Sequence, residues 1–156
     1  DVVKGKFTDV NIRDLVKKIQ DAGINVIGNY IFGLPEDNIE TMQDTLNLAK
    51  DLNCEFANFY STMAYPGSQL YLDAIKNNWD LPESYVGFSQ HSYETQPLPT
   101  KYLSAGEVLG FRDAAFNDYY SNEKYLNFVK NKFGQETYDD IIRMTQYSLK
   151  RRLLEK

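Results

Sequence analysis

The sequence predicts an α/β chain in two parts: helices and strands alternating around a parallel sheet, then an all-helical extension. Three observations predict it. Up to residue 77, segments with apolar residues at three- and four-residue steps alternate with short runs of β-branched and aromatic residues. A stretch rich in proline and aromatics, 79–103, then shows no period. Beyond it only helical spacing remains. The expected division is therefore 1–78, 79–103 and 104–156.

The first helix is read over residues 8–22, with Ile12, Leu15, Val16, Ile19 and Ala22 on one face. Thr8 or Asp9 suits its N-cap, and Gly23 the left-handed position past its end. In the run 24–33 the later residues, through Tyr30, Ile31 and Phe32, read as a strand buried on both faces of a parallel sheet. Leu34-Pro35 ends it, with Pro35 opening the next helix. Asp37 and Glu40 have the spacing of a capping box for a helix carrying Ile39, Met42, Leu46, Ala49 and Leu52. A second strand is expected over 55–63. Tyr65-Pro66-Gly67-Ser68 is a turn, and 69–77 a short helix with Leu70, Ala74 and Ile75 inward.

Residues 79–103 carry Pro82, Pro97, Pro99 and several aromatics, a length of irregular chain that is uncommon unless it covers something or functions. Ser104 and Glu107 form a second capping box, opening a helix to about Ser121 with Val108, Leu109, Arg112, Ala115, Phe116 and Tyr119 along it. A helix over 123–133 closes at Gly134. The last is read as one helix, 136–154, with Tyr138, Ile141, Ile142, Thr145, Leu149 and Leu153 inward. Lys150-Arg151-Arg152 near its end complements the helix dipole and receives no chemistry.

The 156 residues suffice for one domain. Seventeen basic against 22 acidic residues leave a net charge of −5, which argues against a nucleic-acid or anionic-membrane surface. No apolar run is long enough to span a membrane and no signal peptide is legible, so a soluble cytoplasmic protein is expected. Cys54 is the sole cysteine, which excludes an internal disulfide and any multi-cysteine metal site within the chain. We read it as a small buried residue rather than a nucleophile. The opening at Asp1, without Met and close to a helix, leads us to expect a domain fragment. Two strands cannot close a barrel, so either another copy completes the sheet or the missing strands lie upstream.

Among motifs, GNYIFGLPED (28–37) is the most informative. Gly28 and Gly33 are spaced as in a phosphate loop, but the Lys-Ser/Thr that would follow is absent, and so is the dinucleotide pattern Gly-x-Gly-x-x-Gly. A tight strand-to-helix turn at Gly33 accounts for the spacing, though ligands of parallel α/β folds also sit at such strand ends. His91, the only histidine, lies in a polar loop. Solvation or capping is its default, and acid–base work requires a pocket around it.

Taken together, NYIFGLPEDNIETMQDTLNLAKDL and FANFYSTMAYPGSQLY resemble the C-terminal half of the catalytic domain of radical S-adenosylmethionine enzymes. The resemblance is closest to the subgroup that often carries a cobalamin-binding domain. That family's fifth strand has Gly-x-Ile-x-Gly-x-x-Glu, matched here by Ile31, Gly33 and Glu36, with Asn29 in place of the first glycine. Its Tyr-Pro-Gly-Thr turn after the sixth strand is Tyr65-Pro66-Gly67-Ser68 here. The match covers about residues 8–77.

The resemblance implies the C-terminal portion of a partial parallel (β/α) TIM-like barrel followed by the helical extension. It implies that Ile31 packs on the adenine of S-adenosylmethionine, that Gly33 lets the chain turn beside it and that Glu36 supports the turn. Main-chain groups from Phe59 through Tyr60 to Thr62 would meet the adenine edge. It also implies a parent protein holding a 4Fe-4S cluster on Cys-x-x-x-Cys-x-x-Cys, with cobalamin as a further cofactor. The cluster ligands are absent from this chain, which alone is catalytically incomplete. The expected partners are the preceding part of the same barrel and a small-molecule substrate, with no nucleic acid and no membrane. The rival expectation is a non-catalytic α/β-helical interaction module that self-associates as a homodimer through an exposed strand edge.

Overall fold

The computed structural model describes residues 10–155. Among them are six α-helices and one two-stranded parallel sheet. In chain order these are α1 (Ile12–Asp21), β1 (Ile27–Phe32), α2 (Ile39–Leu52), β2 (Phe56–Ser61), α3 (Gln69–Lys76), α4 (Ala105–Tyr120), α5 (Glu123–Phe133) and α6 (Gln135–Thr145).

α1 is capped by Asn11, whose side chain accepts from the amides of Arg13 and Asp14. Thr8 and Asp9 lie outside the described residues. At its other end Gly23 (φ +78°) lets its own amide reach Gln20 O and the amide of Ile24 reach Ile19 O, a Schellman closure. The capping box of α2 differs from the expected one: Asn38 and Thr41 exchange the two bonds that open the helix, in place of Asp37 and Glu40. Asp37 is freed for another task described below, and Pro35 sits in the preceding turn rather than at the helix start.

β1 and β2 pair in parallel, with Tyr30 opposite Phe59 and Phe32 opposite Ser61. Because side chains alternate across a strand, the sheet has two unlike faces. Tyr30, Phe32, Ala57 and Phe59 face α2, α4 and α5 in one core with Met42, Leu46, Ala115, Tyr119, Tyr125 and Val129. The rings of Phe32 and Phe59 stack 5.8 Å apart, and Tyr119 meets Phe59 edge-on at 5.4 Å. The helical half thus shares its core with the α/β half. The other face is bare: Ile27 is 57% exposed, Ile31 49% and Phe56 40%, against the expected burial on both sides.

Two further expectations change. In α3, Ala74 is buried but Ile75 is exposed, and Tyr71 packs inward instead. The last helix stops at Thr145, and the chain continues as an extended tail with a 3₁₀ turn at Arg152–Leu154. The reason is Arg151. Its buried guanidinium grips both oxygens of Asp113 at 2.8 and 2.9 Å, as well as Ser92 O, Gln90 O and Thr95 Oγ1. Five hydrogen bonds to four residues outweigh the few turns of exposed helix that the pattern called for.

Candidate functional site

At the C-terminal end of the sheet, where parallel α/β folds bind ligands, a cleft of about 430 Å³ opens on the bare face. Ile31, Tyr60 and Thr62 line it, joined by Leu34, Met63, Tyr65 and Gln90. Its walls are mainly apolar, and the volume falls within the range of small-molecule pockets.

The turn that gives Leu34 to its lining is fixed from both sides. Gly33 has φ +81°, and a Cβ there would lie 2.4 Å from Val108 Cγ1 of α4. The carboxylate of Asp37 accepts from the amides of Gly33 (3.0 Å) and Leu34 (2.9 Å). Asp37 therefore braces the turn, the task expected of Glu36. Glu36 points outward, with Lys101 Nζ at 3.4 Å from its carboxylate. Asn29, in the place of the pattern's first glycine, is on the bare face and accepts a bond from the Asn58 amide.

Of the second strand's expected residues, Tyr60 and Thr62 reach the cleft, whereas Phe59 projects into the core on the opposite face. The main chain here is already engaged. Thr62 N–H and Oγ1 both donate to Phe32 O, and Thr62 O accepts from Leu98 N–H.

Side chains occupy most of the outer edge of β2. Tyr120 OH accepts from Ala57 N–H and donates to Ala57 O at 2.6 Å. Arg112 Nε donates to Phe59 O at 2.7 Å. Gln90 presents its whole amide to Ser61, accepting from the N–H at 3.0 Å and donating to the C=O at 2.9 Å. Before the strand begins, Tyr119 OH and Tyr125 OH donate to Cys54 O and Glu55 O. Burial, reinforced for Tyr119 by Tyr125 and for Tyr125 by Tyr120 and Glu55, pushes both phenols well above their ordinary range, so they remain protonated donors. Along β1 the contrast is complete. The outward main-chain groups of Ile27, Asn29 and Ile31 bond to no described residue.

Cys54 is fully buried beside Tyr30, as expected of a small core residue, and burial raises its thiol. Among the described residues no group of three or more His, Cys, Asp and Glu is placed to hold a metal, so this chain's own residues do not fit an iron–sulfur cluster. No described helix is long and apolar enough to cross a membrane.

Sequence reasoning missed Gln90, Asp37, Leu34, Met63 and Tyr65. Asp37 had a local signal, since an acid four residues after a turn glycine reaches back to its amide. Gln90 had none.

No family profile matches the chain, and no solved structure does. Two curated proteins are similar to it. An uncharacterized methyltransferase of Pyrococcus horikoshii is 26% identical over 113 residues, 72% of this chain and 24% of that protein. An anaerobic magnesium-protoporphyrin IX monomethyl ester cyclase of Rubrivivax gelatinosus is 24% identical over 134 residues, 85% of this chain and 23% of that protein. The chain thus spans about a quarter of the length of these curated relatives, and it is distantly similar to one methyltransferase and one cyclase.

Proposed function

We propose that this chain supplies the last two strands, and the seal beyond them, of an open parallel (β/α) barrel in a radical S-adenosylmethionine enzyme. The asymmetry of the sheet carries this reading. β2 is bonded along its outer edge by the chain's own side chains, while the outward main-chain groups of β1 bond to no described residue and Ile27 and Ile31 stay about half exposed. A sheet that ends at β2 and continues beyond β1 uses both features. The continuing strands belong to the preceding part of the same barrel, on a longer protein.

In this reading the strand-end cleft takes the adenine of S-adenosylmethionine, with Ile31, Leu34 and Tyr60 among its walls. The 4Fe-4S cluster supplies the reductive chemistry when bound, and its thiolates, with any cobalamin, lie elsewhere in the longer protein. The names of the two relatives, a methyltransferase and an anaerobic cyclase, support a group-transfer or redox reaction on a small molecule.

The test is S-adenosylmethionine binding by the longer protein, measured by equilibrium dialysis. Ile31→Asp sets a charge against an apolar ring and is expected to weaken binding by roughly tenfold or more. Unchanged binding removes the assignment. Self-association on the β1 edge is the competing use of that edge. A folded dimer of this chain that persists in the longer protein favours it.

A further inference from the structure

A second cleft, of about 340 Å³, is lined by α4, the end of α6 and the segment that follows it. Phe116, Met144, Tyr147 and Leu149 give it apolar walls, and Asn117 and Ser148 stand on its flanks. At its end are His91, Arg112 and Asp113.

The charges behind that end do not cancel. Arg112 and Arg151 are both buried, 4% and 1% exposed, and share a single carboxylate, Asp113. Arg151 is satisfied by five bonds. Arg112 spends Nε on Phe59 O and Nη1 on Asp113, and its Nη2 has only the His91 ring nitrogen, Nε2, at 3.5 Å. That separation is the outer limit of a hydrogen bond. A buried excess cation with one underused nitrogen facing a cavity is a poor end state by itself, since low dielectric magnifies its cost.

We propose that this cleft binds a small organic carboxylate, its two oxygens received by Arg112 Nη2 and the His91 ring, and its apolar body held against Phe116 and Met144. With the imidazole protonated, two donors stand side by side and match the two oxygens of one carboxylate. A dianionic phosphate is disfavoured because Asp113 stands beside the donors. The inference rests on this chain's own residues and is independent of the barrel reading.

The charged groups facing His91 are Arg112 and Asp113 from α4 and Arg151 from the tail. Burial, then Arg112 and Arg151, holds the imidazole below its ordinary range, with Asp113 opposing. An anion in the cleft reverses the local field, so binding must raise the imidazole pKa, and by linkage the ligand must bind more tightly as the imidazole gains its proton.

His91 is the only histidine in the sequence, so its ring protons give a single resolved probe by NMR. The full chain is titrated with benzoate, with benzyl alcohol as the uncharged counterpart and chloride at equal ionic strength. Benzoate is expected to raise the His91 pKa and to bind roughly fivefold or more tightly at about pH 5 than at about pH 7.5. Benzyl alcohol and chloride should do neither. Asn117→Asp, at an exposed α4 position, places a fixed negative charge in the cleft and should abolish the benzoate response at unchanged melting temperature. Ser148→Asp is the substitute if the first variant melts lower. The proposal is overturned if benzoate leaves the His91 pKa where chloride leaves it, if benzyl alcohol matches benzoate, or if the aspartate variant still responds.

Discussion

Along the outer edge of β2, three side chains from α4 and the 79–103 loop bond the main chain of Ala57, Phe59 and Ser61; along the outer edge of β1, the outward main-chain groups of Ile27, Asn29 and Ile31 bond to no described residue. The same division separates the faces, one packed with aromatic rings and the other exposing Ile27, Ile31 and Phe56. An unpaired strand edge invites pairing, and proteins ordinarily blunt it with charge, proline or a covering element. Here one edge is blunted by side-chain donors and acceptors on five of its outward main-chain groups, and the other bonds to no described residue. Among the described residues the sheet is therefore open beyond β1 and occupied beyond β2.

Four experiments break or sharpen that contrast. The largest effect is expected from Arg151→Met, which frees the tail and leaves Asp113 beside Arg112 alone. A loss of about 3–5 kcal/mol in urea unfolding is expected, as for other broken buried ion pairs. Gly33→Ala should cost about 2–4 kcal/mol, from the positive φ and from the clash with Val108. The double variant with Val108→Ala should recover the clash part but not the φ part. Next comes Gln90→Leu, which orphans the N–H and C=O of Ser61. It should cost about 1–3 kcal/mol and raise hydrogen exchange at the Ser61 amide. If exchange there is unchanged, the edge is sealed by something other than Gln90. Ile27→Lys on the bare face should change the stability of this chain by no more than about 0.5 kcal/mol. A large loss there would mean that the face is covered.

A pH scan probes the N-terminal end of the same sheet. Burial by itself would raise the Glu55 carboxyl. Lys132 at 2.6 Å, the Val26 amide and the Gln20 side chain together hold it below its ordinary value. Its contribution is therefore full above the ordinary carboxyl range, near pH ~4.3, and is lost as pH falls through the lowered value. Glu55→Gln should flatten that acid limb in a melting-temperature profile.

Local signals were enough for much of this structure. The Ser104–Glu107 box opens α4 with both of its expected bonds, Gly134 closes α5, and Gly23 closes α1. The run through Ile31 to Gly33 marked the strand end where the cleft lies. What could not be read were decisions made by distant partners. Leu149 and Leu153 continue the helical spacing of α6, yet Arg151 is drawn into the Asp113 pair and the helix ends early. Arg151 in a basic cluster looks like any solvated charge. Likewise the β2 edge is closed by residues 29 to 63 positions away, and nothing near Gln90 or Tyr120 names Ser61 or Ala57. The burial of β1 on both faces was inferred from its composition alone, which cannot say whether the second covering layer belongs to the same chain.

The tyrosine that caps Ala57 lies 63 positions later in the chain. At a synthesis rate of roughly 5–20 residues per second, β2 leaves the ribosome about 3–13 s before Tyr120 exists to cap it. During that interval β1 and β2 present unfinished edges on both sides, and any strand already made can add to either. Once α4 arrives, one choice is withdrawn. The order of synthesis thus makes the late helix a timer, and a pause placed between Ser61 and Tyr120 would lengthen the window for mispairing without altering a single residue of the finished protein.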